Sequence, residues 1–316
     1  MIAFQPCAVL GQEGRQLTFA LQVSPDVAQV IVAQERGYWR EFGVDVKLIR
    51  FESGREAFQA LLDGKADFAA MADFPAAIGI VNDRRFVIIG DMSRYGAQRV
   101  IASRRRLALG TLADLEGRKL GTTLGTSAEF ATSVLFAEGG MLAQIVDLAP
   151  REIVPSLARG DVDAAVMFPS MYAHAKHALG DDYREVIIKG YASHFLLATR
   201  PEVLASRATE VVILLQGLKR ADAAIRADGP AAQAAIVRAM GPSMELAALA
   251  EMWKDLHYDV TLNEDLVSIL QREATWLADK AAAPARRTLL SRQRIRSYID
   301  AAPLRLVAGE SVSLGQ

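Results

Sequence analysis

The sequence predicts an α/β protein built from two similar lobes, with extra helices appended at its C-terminal end. Three observations carry this. Short apolar runs alternate with longer segments of helical spacing through the first two hundred residues; the pattern restarts near Arg118, and everything after Pro201 reads as helix. Strands alternating with helices imply a mainly parallel sheet.

The first strands are LTFAL (Leu17 to Leu21), VDVKLI (Val44 to Ile49), ADFAAM (Ala66 to Met71) and FVIIG (Phe86 to Gly90). Ser24-Pro25, an N-cap followed by proline at the first helical position, introduces helical spacing at Val27, Val30 and Ile31. RKLGTT, SAEFATSVLFAEGG, AQIVDLA, REIVPSLARG and DVDAAVMF then repeat the order. LLDGKADFAAM from Leu61 and LARGDVDAAVM from Leu157 align, each with Leu, Gly, Asp and Met at the same offsets. Glycine supplies a left-handed helix end there, and the run that follows is the next buried strand. Beyond Pro201, VVILLQGLKRADAAIRA, PAAQAAIVRAM, MELAALAEMWKDL and NEDLVSILQREATWLADK keep helical spacing, punctuated by Pro230, Pro242 and Pro284, with no further sheet.

At 316 residues, about half of them apolar, the chain buries a full core. With 36 basic and 37 acidic residues the formal charge is -1, so no global field gathers nucleic acid. The basic runs at Arg104 to Arg106 and Arg286 to Arg296 lack interleaved aromatics and read as solvated surface. No apolar run approaches the ~18 residues of a membrane helix. Cys7 is the only cysteine, which excludes an internal disulfide and suits either cytoplasm or periplasm. The start, MIAFQPCAVLGQEGRQ, lacks a basic n-region and a small-x-small cleavage site and does not read as an export signal.

LGTTLGTSAEF, Leu120 to Phe130, raises the question of an anion site. Gly121 and Gly125 are separated by three residues and no lysine follows, so it is not a P-loop, and the G-x-G of a dinucleotide fingerprint is missing. Thr126-x-x-Glu129 fits a capping box, as does Ser53-x-x-Glu56 in the first lobe. Capping and ligand binding are compatible, because first-turn amides lack helical partners. Strand ends carry Gln22, Asp73-Phe74-Pro75 and Phe168-Pro169-Ser170-Met171, where ligands of open α/β sheets gather. Phe74, Phe168 and Met171 fit core equally well, and Arg94 and Arg99 are candidates to meet an anion. His174 and His177, with Asp181 or Asp182, have metal-compatible spacing, but two histidines on a polar helix face usually meet water. His194 and His257 have no sequence-local partners, and no G-x-S-x-G elbow is present. The sequence calls for no catalytic residue, cofactor or metal.

The blocks AQERGYWREFGVDVKLIRFESGREAFQALLDGKADFAAMADFPA, LADLEGRKLGTTLGTSAEF and IVPSLARGDVDAAVMF, in that order, resemble the nitrate/sulfonate/taurine class of ABC-transporter substrate-binding proteins and their thiamine-precursor-binding kin. The resemblance covers Leu17 to Leu277. It implies a type II periplasmic-binding-protein fold, with lobe 1 at 1–99 plus 197–316 and lobe 2 at 100–196. The chain would cross near Gln98 to Ile101 and near Tyr191 to Leu197. It also implies a monomeric periplasmic receptor that closes on a small molecule between its lobes and docks on a membrane permease. Family ligand contacts map onto Gln22, Ser53, Gly54, Asp73, Phe74, Thr126 and Ser127, with Phe168 and Met171 from the second-lobe block.

Many relatives have Trp, an acidic residue, Pro and an aromatic where this chain has Phe168-Pro169-Ser170-Met171. The missing acid favours an organic anion, such as a sulfonate or carboxylate, or a neutral polar ring over a taurine-like zwitterion, although Asp73 is available to an amine. Enzymes on the same fold are the rival. Desulfinases need a cysteine after the first strand, where Val23-Ser24-Pro25 stands, and the fungal pyrimidine-synthesising relatives need a cysteine-rich motif and a histidine. An intracellular ligand sensor is the third reading.

Overall fold

The computed structural model describes residues 15–139, 143–281 and 290–315. Cys7 lies outside the described residues. Two sheets organise the chain, a seven-stranded and a five-stranded one.

The first sheet opens with β1 (Arg15–Leu21), α1 (Ala28–Glu35), β2 (Val44–Arg50), α2 (Gly54–Leu62), β3 (Phe68–Ala72), α3 (Asp73–Val81) and β4 (Val87–Tyr95). β1 lies between β2 and β3, parallel to both, with Phe19 opposite Leu48 on one side and Phe68 on the other. Every residue of β3 is buried, as expected of a central strand covered on both faces. The second sheet contains β5 (Arg99–Ser103), β6 (Lys119–Thr122), β7 (Gln144–Asp147), β8 (Ala164–Val166) and β9 (Tyr183–Ile187) in the order β7-β6-β8-β5-β9. Its helices are α4 (Ser127–Gly139), α5 (Pro150–Arg159) and α6 (Tyr172–Leu179).

The aligned repeat has a physical counterpart in each lobe. Gly64 and Gly160 end α2 and α5 at φ +74° and +81°, where a side chain would be strained. Three residues on, Asp67 accepts the Thr18 amide at 2.8 Å and Asp163 accepts the Lys119 amide at 2.9 Å. Each aspartate ties its incoming strand to the parallel neighbour beside it, β3 to β1 and β8 to β6.

The chain leaves the first sheet through residues 96–98 and returns through 188–192. Arg99 therefore opens β5 rather than closing lobe 1. The return also comes earlier than a 196/197 boundary, because β10 (Ser193–Thr199) pairs along its length with β4, and from Phe195 with β3. Paired backbone sets that limit, and apolar composition does not distinguish a crossing from a buried strand.

After β10 come α7 (Pro201–Ser206), α8 (Ala208–Ala227), α9 (Gly229–Met240), α10 (Leu246–Trp253), β11 (Leu256–Asn263) and α11 (Glu264–Lys280). β11 corrects the all-helical expectation: it pairs antiparallel with β4 and extends the first sheet. Leu256, Val260 and Leu262 are its buried side chains, and the register shifts between Tyr258 and Thr261, so strict alternation is broken. A short β12 (Val312–Ser313) completes that edge.

α8 packs on α1, and its Gly217 closely approaches Trp39 in the segment that follows α1. A β-carbon there would lie 2.1 Å from Nε1 of Trp39, whose indole is 1% exposed and donates to the Leu214 carbonyl at 3.0 Å. The buried indole cannot swing away. Gly217→Ala is therefore expected to destabilise the protein by ~1–3 kcal/mol through overpacking. Chemical denaturation is the check; an unchanged midpoint would show that α8 and Trp39 separate freely.

Candidate functional site

The carboxyl ends of β1, β3, β6 and β8 converge on one cavity between the sheets. Lobe 1 supplies Gln22, Ser24 and Asp26 after β1, Gly54 and Arg55 at the start of α2, and Ala72 and Pro75 around β3. Lobe 2 supplies Thr126 and Ser127 at the start of α4, and Phe168, Pro169 and Ser170 after β8. Gln98 from one crossing, with Ser193 and Phe195 from the start of β10, complete the wall. The cavity volume is about 30 Å³, room for no more than a few water molecules. A larger solute enters only if the lobes part.

Of the expected residues, Gln22, Gly54, Thr126, Ser127 and Phe168 come together here. Ser53, Asp73, Phe74 and Met171 do not line the cavity. Ser53 is buried, and its Oγ accepts the Glu56 amide at 3.2 Å as the cap of α2. Glu56 reaches back to the Glu52 amide rather than to that of Ser53. Gly54 lets α2 approach β3 closely, since a β-carbon would sit 3.1 Å from Met71 Cα and force the two apart slightly.

Asp73 is fully buried and serves the crossing segment. Its Oδ1 accepts the Tyr191 hydroxyl and its Oδ2 the His194 amide, both at 2.9 Å. Burial pushes its carboxyl up, and burial followed by the Asp73 charge pushes that of neighbouring Glu273 well up. Phe74, also fully buried, stacks on Phe130 at 5.6 Å and lies 5.8 Å from the Trp276 ring. The core reading of Phe74 is thus the one the packing supports. Met171 is half-buried at the end of the turn Pro169–Met171 and packs against the larger of the two buried apolar clusters.

The expected box at Thr126 does not form, since neither of its two reciprocal bonds is made. Thr126 Oγ1 donates to the Thr123 carbonyl at 2.7 Å, while Glu129 Oε2 accepts the Gly125 amide at 2.6 Å. The other Glu129 oxygen pairs with Lys280. Topology also changes the matching: Thr126 follows β6 as Gln22 to Asp26 follow β1, whereas Ser53, between β2 and α2, corresponds to Ala149, between β7 and α5.

The side chain that local sequence reasoning missed is Asp26. Ser24, expected to cap a helix amide, instead donates its hydroxyl to Asp26 Oδ2 at 3.0 Å. Asp26 lies in the turn Pro25–Val27, fixed by Ser93 Oγ donating to the Asp26 carbonyl at 2.7 Å and the Tyr258 hydroxyl to the Pro25 carbonyl at 2.9 Å. It is 9% exposed, and burial, opposed by the Ser24 hydrogen bond, pushes its carboxyl up to about 6.

Two contacts bridge the mouth. Arg55 donates from lobe 1 to the Leu124 carbonyl of lobe 2 at 2.8 Å, and Arg151 of lobe 2 meets Glu52 of lobe 1 at 3.2 Å. Both expected anion partners outside this mouth are already paired. Arg94 holds Asp91 at 3.1 Å, and Arg99 holds Glu185 at 3.0 Å. Among the described residues no group of three or more His, Cys, Asp or Glu stands together as a metal site; His174 and His177 are exposed on α6.

Two α/β halves, joined by paired crossings and enclosing a polar cavity at their strand ends, define the binding-protein type of fold. The chain belongs to the NMT1/THI5-like family, whose model matches residues 24–232. It is 28% identical over 153 residues to a candidate binding protein of Brucella abortus, covering 47% of this chain and 46% of that one. It is 24% identical over 184 residues to the taurine-binding periplasmic protein of Escherichia coli, covering 57% and 53%. The chain thus matches about half the length of these curated relatives. Among solved structures, the alkanesulfonate-binding protein SsuA of Xanthomonas axonopodis pv. citri, bound to MOPS, gives a TM-score of 0.73 at 17% identity, covering 90% of this chain and 98% of that one. The desulfurization enzyme DSZB gives 0.63 at 14%, covering 94% and 99%. At such identities the structural likeness establishes the fold. Among the described residues, no helix is long and apolar enough to cross a membrane.

Proposed function

We propose that the chain is the periplasmic solute receptor of an ABC importer, closing on a small polar organic molecule and presenting it to a membrane permease. The observation that carries this is the cavity wall itself, contributed by both lobes, which the contacts Arg55–Leu124 and Arg151–Glu52 also bridge. Such contacts form on closure and break on opening, as a hinge-closing receptor requires. Cavity hydroxyls on Ser24, Thr126, Ser127, Ser170 and Ser193, two amides and two aromatic rings suit a polar solute with one apolar side.

The enzyme on this fold is the weaker reading, because Val23-Ser24-Pro25 carries no cysteine after β1. No imidazole stands in the cavity to activate a hydroxyl: His194 bonds Asp91, and the other three histidines are exposed. Native mass spectrometry and thermal-shift screening of sulfonates, carboxylates, nitrate, pyrimidines and polyamines test the proposal. The expected result is one-to-one binding with a raised melting temperature and no chemical change in the bound compound. Turnover of a compound in excess over protein would sink it.

A further inference from the structure

Asp26 carries the argument beyond a generic polar solute. It is the one acidic side chain among the residues lining the cavity, and it is more than nine-tenths buried. Its polar surroundings are neutral: Ser24 donates to it, Tyr258 from β11 spends its hydroxyl on the Pro25 carbonyl, and Tyr95 from β4 has a buried hydroxyl without a hydrogen-bond partner. Burial holds both phenols above their ordinary range, so neither ionises in the physiological window. Arg55 is the only cation on the cavity wall, and its guanidinium is engaged across the mouth by the Leu124 carbonyl. Among the described residues no Lys, Arg or His makes a salt bridge with Asp26.

A carboxylate facing a closed polar cavity with only neutral partners is under-compensated, and a ligand N–H⁺ there would supply a charge-assisted hydrogen bond. The segment Phe168 to Met171 lacks an acid, but the opposite lobe provides one. Resting on the receptor function proposed above, we infer that Asp26 is a specificity-determining residue that selects solutes carrying a protonated nitrogen. Aminoalkane sulfonates and aminoalkane carboxylates belong to this class, and their deaminated counterparts do not.

The test uses matched probes on the full chain by isothermal titration calorimetry at pH 7.5: taurine against ethanesulfonate, β-alanine against propionate, and n-propylamine against 1-propanol. The expected result is that the amine binds at least tenfold tighter in each pair that binds. Asp26→Asn brings the two members within about twofold, and Asp26→Glu keeps the preference. The preference also shrinks as pH falls from 7.5 to 5, because Asp26 gains a proton while the amine stays charged. Equal or tighter binding of the deaminated members, or an unchanged preference in Asp26→Asn, overturns the role of Asp26 and leaves the receptor function standing. If no member of any pair binds, the selectivity assigned to Asp26 falls, and the receptor function is judged by the wider screen of nitrate, pyrimidines and polyamines.

Discussion

Replacing Asp26 by Asn raises the melting temperature of the ligand-free protein at pH 7.5 and leaves it almost unchanged at pH 4. The Asp26 carboxyl titrates at about 6 in the folded chain against 3.8 as its ordinary value. Between those values the folded state holds the proton that the unfolded state has released, so stability falls as pH rises through this window. Above pH 6 the loss is complete, on the order of 3 kcal/mol. The replacement removes the charge but leaves a buried amide, and Ser24 must turn its hydroxyl to suit it. The net gain is therefore smaller, ~1–2 kcal/mol, or a few degrees for a chain of this length. Calorimetric melts of both proteins from pH 4 to 8 isolate Asp26 from Asp73, Asp222 and Glu273, whose carboxyls burial also raises. A variant less stable than the parent at pH 7.5 would mean that the carboxylate is a structural brace. A site that costs stability when empty and gains it when filled is the usual trade between folding and function.

Sequence patterning made the two sheets legible where local chemistry and tertiary role coincide. Gly64 and Gly160 end helices because the left-handed turn needs glycine, and Asp67 and Asp163 recur because each lobe needs the same strand-to-strand tie. β11 escaped because its register break at Tyr258 to Thr261 interrupts alternation between two strongly helical neighbours. At the site, Gln22, Gly54, Thr126, Ser127 and Phe168 were readable from their positions at strand ends. Asp26 and Asp73 were not separable by that criterion. Both follow a strand and stand in or next to a first helical turn, where an acid is already accounted for by the helix dipole. The direction of each side chain decides between them: Asp73 turns to the Tyr191–His194 crossing and Asp26 to the cavity. Phe74 and Phe168 divide in the same way, one into the core and one onto the wall.

Phe74→Ala is expected to cost ~3–5 kcal/mol of folding stability, the usual range for emptying a buried phenylalanine site. It should alter the ligand affinity of the folded fraction by less than about threefold. The ring sits on α3 of lobe 1 but packs in the lobe 2 core, against Phe130 of α4 and Trp276 of α11. Phe130 in turn meets Tyr191 edge-on at 5.3 Å, next to the second crossing. This aromatic cluster is an apolar joint between the lobes, whereas the bridging contacts at Arg55 and Arg151 are exposed and polar. Exposed ion pairs and hydrogen bonds are worth ~1 kcal/mol or less, so opening at the mouth is cheap and separation at the joint is not. The lobes should therefore pivot about Phe74, Phe130 and Trp276. Removing the Phe74 ring then destabilises the chain as a whole without taking a contact from the solute. Denaturation midpoints give the first quantity, and calorimetric titration well below the melting point gives the second. A large loss of affinity with near-native stability would place Phe74 on the ligand wall after all and move the pivot elsewhere.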